Sequence, residues 1–170
     1  QNSVTALKNA QKMGLYGSEM DVWLTKDGYL GVGDDKKMNG LSFQDTDYDL
    51  LKDMKLSNGE KLPQLKDFLV QLKQSESPTK LFIEIKKHDS FERNMTVVKA
   101  VLDTVRYYKV ENKVQYITFN LDICKELVRI DPEAVVACLK GGMAPAEVYE
   151  MGIRGIHYHR KEYRDHPQWI

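Results

Sequence analysis

The chain has 170 residues, 42% of them hydrophobic, and its 25 basic side chains balance 25 acidic ones. That size suits one globular domain, residues 1–170, with a packed core. Balanced charge removes the long-range field on which a nucleic-acid or anionic-membrane binder relies, and no apolar run approaches the ~20 residues of a bilayer span.

In chain order, Ser3 to Met13 places Val4, Leu7, Ala10 and Met13 at helical spacing, with Gly14 as a stop. Gly17 to Leu24 alternates as a strand, Thr25-Lys26-Asp27-Gly28 signals a turn, and Tyr29 to Gly33 returns as a hairpin partner. A polar stretch punctuated by Asn58-Gly59 and Pro63 precedes a helix over Leu65 to Leu72. A Ser- and Pro-containing linker, Ser75 to Thr79, leads into a strand over Leu81 to Lys86. The cycle then repeats as helix Phe91–Tyr108, strand Val114–Phe119, helix Ile123–Ile130, strand Ala134–Leu139, helix Pro145–Met151 and strand Ile153–Tyr158. Strands separated by helices pair in parallel through right-handed crossovers. Five parallel strands and one hairpin strand fit either a barrel or an open α/β sheet, and periodicity does not choose between them. Two cysteines, Cys124 and Cys138, are too few to staple a domain of this size, and Cys138 in its apolar run reads as a buried thiol. A soluble chain, cytoplasmic or exported, is expected.

Glu19 and Asp21 stand two apart on a strand and share one face, with Met20, Val22 and Leu24 on the other. Parallel sheets normally bury both faces, so two carboxylates there call for cations or water to receive them. The hairpin adds a third. A turn centred on Lys26-Asp27 puts Asp34 opposite Glu19, and one centred on Asp27-Gly28 puts it opposite Asp21. Either register brings like charges within about 5 Å. Phe82, Glu84 and Lys86 share a face of the next strand, adding a carboxylate and an ammonium. An all-oxygen donor set selects Ca²⁺ or Mg²⁺ over zinc. An ion-pair network closed by Lys86 accounts for the same spacing equally well.

These segments, in this order, resemble the glycerophosphodiester phosphodiesterase family. The matching pieces are Asn2-Ser3 opening a helix, Glu19-Met20-Asp21 running into Thr25-Lys26-Asp27-Gly28, Gly33-Asp34-Asp35, Pro63-Gln64-Leu65, Glu84-Ile85-Lys86 and Thr118-Phe119. The resemblance implies a TIM (β/α)8 barrel of the phospholipase-C-like phosphodiesterase type, with its site at the C-terminal ends of the strands. It further implies Glu19, Asp21 and Glu84 as ligands of a divalent cation, Ca²⁺ or Mg²⁺, and Lys86 at the phosphate. The substrate would be a small glycerophosphodiester of lipid metabolism, hydrolysed to an alcohol and glycerol phosphate.

Three departures stand out. Of the family's two acid–base histidines, one belongs upstream of Asn2, outside this sequence, and the position of the other is Asp34. A carboxyl group of ordinary pKa, about 3.9, holds no proton for a leaving alkoxide at neutral pH. Gln1 replaces a glutamate. The match runs from the first family helix to just past the sixth strand, so the barrel is expected to be incomplete, as part of a longer protein or completed by another chain. A catalytically impaired module that binds a cation and phosphate is therefore the second expectation, and a salt-bridged domain that binds nothing is the third.

Other motifs carry competing readings. Trp23 shares the face of Glu19 and Asp21 and either walls a substrate cleft or packs. His157, His159 and His166 suggest a zinc site that lacks an evident fourth ligand, and His88 reads as exposed or as reaching the phosphate. Gly31 and Gly33 permit close approach of a ligand or merely weaken a strand. Residues 35–40 do not carry the ligand spacing of a calcium-binding EF-hand, and no P-loop or dinucleotide fingerprint is present.

Overall fold

The computed structural model describes residues 2–170; Gln1, with its departure from the family pattern, lies outside the described residues. Helix α1 (Val4–Lys12) starts where the Ser3 hydroxyl accepts from the Ala6 amide at 3.1 Å, and it buries Leu7 and Ala10. Strand β1 (Gly17–Leu24) follows, pairing antiparallel with β2 (Leu30–Val32) and parallel with β5 (Lys80–Ile85). Between them lie two-residue strands β3 (Lys37–Met38) and β4 (Leu41–Ser42), the one-turn helix α2 (Tyr48–Leu51) and helix α3 (Leu65–Gln74). The later cycle is α4 (Phe91–Tyr108), β6 (Val114–Thr118), α5 (Leu121–Ile130), β7 (Val136–Cys138), α6 (Pro145–Glu150), β8 (Gly155–Ile156) and α7 (Arg160–Asp165).

The six-stranded sheet runs β2-β1-β5-β6-β7-β8, parallel except for β2. From β1 onward each parallel strand lies beside the next one in the chain, so the order never reverses as it does in a doubly wound sheet. The helices also keep to one side. Leu81, Ile83 and Ile85 of β5 are fully buried in one cluster with Leu69 of α3, Val101 of α4, Leu127 of α5 and Val148 of α6. Met20, Val22 and Leu24 join the same cluster, whereas Glu19, Asp21, Phe82 and Glu84 face the other way. A parallel sheet clad by helices on a single face is the wall of a barrel, with the uncovered face as its interior. Six strands make an incomplete one.

The hairpin register differs from both expected alternatives. Val22 pairs with Val32 and Leu24 with Leu30, which extrapolates to Met20 opposite Asp34 rather than either carboxylate. The turn is one residue longer than a tight two-residue loop. Thr25 donates its amide to the Tyr29 carbonyl at 2.8 Å, enclosing Lys26, Asp27 and Gly28, and Gly28 takes a positive φ of 90°. Thr25 Oγ1 donates to Asp27 at 2.6 Å and accepts from the Tyr29 amide at 2.9 Å. The Thr-x-Asp-Gly motif thus builds the turn itself.

The polar stretch after β2 has a core of its own. Trp23, Phe43, Leu51 and Leu62 are buried together, flanked by Met38, Tyr48, Met54 and Leu56. A Cβ on Gly31 or Gly33 would meet the Phe43 ring at 3.0 or 2.9 Å, so these glycines make room for a phenyl ring. Cys124 and Cys138 are free, buried thiols in the main core.

Candidate metal centre

Parallel pairing of β1 with β5 aligns Asp21 with Glu84 and Glu19 with Phe82. Because side chains two apart share a face, this register alone brings Glu19, Asp21 and Glu84 to one patch of the barrel interior. One oxygen from each lies within 4.8 Å of the others, the only such group among the described residues. Lys86, just past β5, completes the patch: its Nζ stands 2.8 Å from Asp21 Oδ1 and 3.0 Å from Glu84 Oε1. The Asp21 side chain is 2% exposed, Glu84 12% and Lys86 16%.

These groups displace one another's proton equilibria. Burial raises the Glu84 carboxyl above its usual value, and the neighbouring Lys86 only partly offsets this. Burial by itself would lower the Lys86 ammonium, but hydrogen bonds and charge from Asp21 and Glu84 outweigh it and carry the pKa well above the usual lysine value. Three carboxyl groups thus meet in a half-buried patch beside the Lys86 ammonium. All-oxygen donors suit a hard ion, and a 4.8 Å span equals about twice a Ca–O bond of ~2.4 Å. The residues fit the ion.

Asp34 is not a member of that group. Its side chain is 67% exposed and touches the patch only through Lys86, with Oδ1 3.3 Å from Nζ. The direct carboxylate-to-carboxylate approach expected for it fails because the three-residue turn shifts the register and β2 ends at Val32.

Trp23 does not wall a cleft. It is 5% exposed, donates Nε1–H to the Gly33 carbonyl at 3.0 Å and stacks on Phe43 at 6.2 Å. Its neighbours are those of a core residue.

His88, expected at the surface or at the phosphate, is 1% exposed. Its Nε2 accepts from the Leu24 amide at 3.0 Å, so the neutral ring carries its proton on Nδ1 and donates to the Lys86 carbonyl, also at 3.0 Å. Burial holds its pKa below the ordinary value, with nearby Arg93 adding to the effect. His88 therefore braces the exits of β1 and β5, the two strands that carry the carboxylates. The other histidines form no metal-ligating group among the described residues: His157 packs on Phe82, His166 stacks on Trp169, and His159 accepts from the Lys161 amide.

Sequence reasoning passed over Asn2 as a site residue. It is 5% exposed, with its Oδ1 accepting from the Asp21 amide and its Nδ2 donating to Asp21 Oδ2, both at 2.8 Å. Its place in the helix-opening motif was visible, but nothing in the spacing linked it to Asp21.

A one-sided α/β wall with three carboxyl groups and a lysine gathered toward the C-terminal ends of neighbouring strands has the layout of a (β/α)8 barrel and its site. The chain belongs to the glycerophosphoryl diester phosphodiesterase family, which its residues 1–156 match. It is 41% identical to a glycerophosphodiester phosphodiesterase from Parabacteroides distasonis, whose crystal structure superposes with a TM-score of 0.96 over 99% of this chain and 71% of that one. An uncharacterized Bacillus subtilis protein, YqiK, is 29% identical over 95% of this chain and 70% of its own length. The structure of an Oleispira antarctica phosphodiesterase in complex with the product sn-glycerol-3-phosphate shares the fold, with a TM-score of 0.80 at 17% identity over 95% of this chain and 70% of that one. No helix among the described residues is long and apolar enough to cross a membrane.

Proposed function

We propose that this chain carries the cation and phosphate site of an enzyme that hydrolyses glycerophosphodiesters to an alcohol and glycerol phosphate. Glu19, Asp21 and Glu84 would hold Ca²⁺ or Mg²⁺. The observation that carries this reading is the convergence of three carboxylate oxygens within 4.8 Å beside a lysine. When bound, such an ion withdraws electron density from a phosphoryl oxygen and so favours attack at phosphorus. Lys86 sits at the rim of the patch with its ammonium fixed by Asp21 and Glu84, placed to offset the charge of a phosphate. The strand exits hold these groups in register, and His88 keeps the two exits together.

Turnover of a glycerophosphodiester, followed as release of glycerol phosphate, tests this reading. Activity should require Ca²⁺ or Mg²⁺ and collapse in Glu19→Ala; cation-independent turnover unaffected by Glu19→Ala refutes it.

A second reading rests on Asp34. At the family's histidine position stands an aspartate that accepts from Lys86, in place of the imidazole that serves as acid and base. On that reading the barrel binds cation and phosphate without turnover. Calorimetric binding of glycerol phosphate in the presence of cation, with no hydrolysis, supports it. Hydrolysis gained on Asp34→His would identify the missing proton donor as the cause.

A further inference from the structure

Where β2 stops pairing, β1 still presents its outer edge. Gly33 donates its amide to the Asp21 carbonyl at 3.1 Å, and the Asp21 amide points to the same edge with no further strand residue to receive it. Asn2 takes that place. Its side-chain oxygen accepts the Asp21 amide at 2.8 Å, and its side-chain nitrogen donates to Asp21 Oδ2, also at 2.8 Å. One amide group thereby grips both the backbone and the carboxylate of a residue 19 positions away. To do so Asn2 adopts a left-handed backbone, φ 56°, immediately before the Ser3 cap of α1. Asparagine tolerates that conformation better than most side chains.

We infer that Asn2 is a positioning residue for the cation: it fixes the rotation of the Asp21 carboxylate so that Oδ1 alone faces the cluster. This inference rests on the cation site proposed above. With Oδ2 held by Asn2, Oδ1 is the oxygen that meets Lys86 at 2.8 Å. Two features suit Asn2 to the task. It is neutral, so it orients a ligand without adding a fourth carboxylate or a cation that competes with the metal. It is also buried, so water does not replace its bond to Oδ2.

The test is calorimetric titration of Ca²⁺ and of Mg²⁺ into the full chain and into Asn2→Gly. Glycine keeps the left-handed backbone available and removes both side-chain bonds. Loss of an outer-shell partner of this kind weakens metal affinity by roughly 10- to 100-fold, and that is the expected result. A residue that merely holds the fold would lower the urea midpoint equally in chelator and in cation, leaving affinity unchanged, and that outcome overturns the inference. If Asn2→Gly is unfolded in chelator, the cation concentration that refolds it supplies the affinity, and failure to refold at saturating cation also overturns it. Absence of cation binding by the wild type sinks the metal centre and this inference together, whereas wild-type binding matched by the variant sinks this inference alone.

Discussion

Lys86→Met offers the sharpest probe of the centre, because methionine keeps much of the side-chain length while deleting the ammonium. In the wild type that ammonium meets Asp21 at 2.8 Å and Glu84 at 3.0 Å, with all three side chains less than a fifth exposed. Its third partner, Asp34, is 67% exposed and contributes little. Removing one member of a buried ion pair costs about 3–5 kcal/mol; partial exposure places this site at the lower end, about 3 kcal/mol. The Lys86 pKa is raised in the folded state, so its contribution is fully present below the unfolded value of about 10.5 and is lost only as pH rises through the folded one. The whole effect is therefore measurable at neutral pH. With a urea m-value of about 2 kcal/mol/M, the midpoint in chelator should fall by about 1.5 M. Cation should then restore stability to the variant more than it adds to the wild type, since three carboxylates now face the ion without a competing ammonium; saturation at a hundred times Kd gives about 2.7 kcal/mol. An unchanged midpoint in chelator, or equal cation responses in the two proteins, would refute this account.

Other consequences follow from single contacts. His88 has a depressed pKa, so its contribution is present above the unfolded value of about 6.5 and is lost as pH falls through the folded one, with a slope of at most about 1.4 kcal/mol per pH unit; urea titrations across pH 4.5–8 should show this slope in the wild type and lack it in His88→Gln. Gly33→Ala forces a methyl to within 2.9 Å of the Phe43 ring and should cost about 1–3 kcal/mol, read as a lower melting temperature. Cys124 and Cys138 are buried and should resist alkylation in the native state, with both labelling once urea unfolds the chain; labelling without urea would contradict that burial.

What the sequence disclosed tracks what periodicity can encode. Gly17–Leu24 and Phe91–Tyr108 occupy the expected residues because each alternates or repeats long enough to leave a period. Glu19, Asp21 and Glu84 meet as their shared-face spacing and the parallel pairing require. The hairpin register eluded the sequence because it turns on one loop residue, with Gly28 at positive φ. The two-residue strands Lys37–Met38 and Leu41–Ser42 and the one-turn helix Tyr48–Leu51 are too short for any repeat to emerge. Helix Arg160–Asp165 buries no side chain and so carries no apolar signal at all. His88 was misjudged for a different reason: its charge character suggested solvent, while its burial depends on a main-chain donor from β1, 64 residues away.

Trp23 belongs to the strand that carries Asp21, yet its ring is buried in the small core of the stretch after β2. The indole thus joins the sheet to the segment after β2, alongside main-chain bonds from Lys26 to Thr46 and from Val32 to Pro63. Four buried residues make up the core of that segment, against a far larger set beneath the sheet, so it opens at lower free energy than the wall.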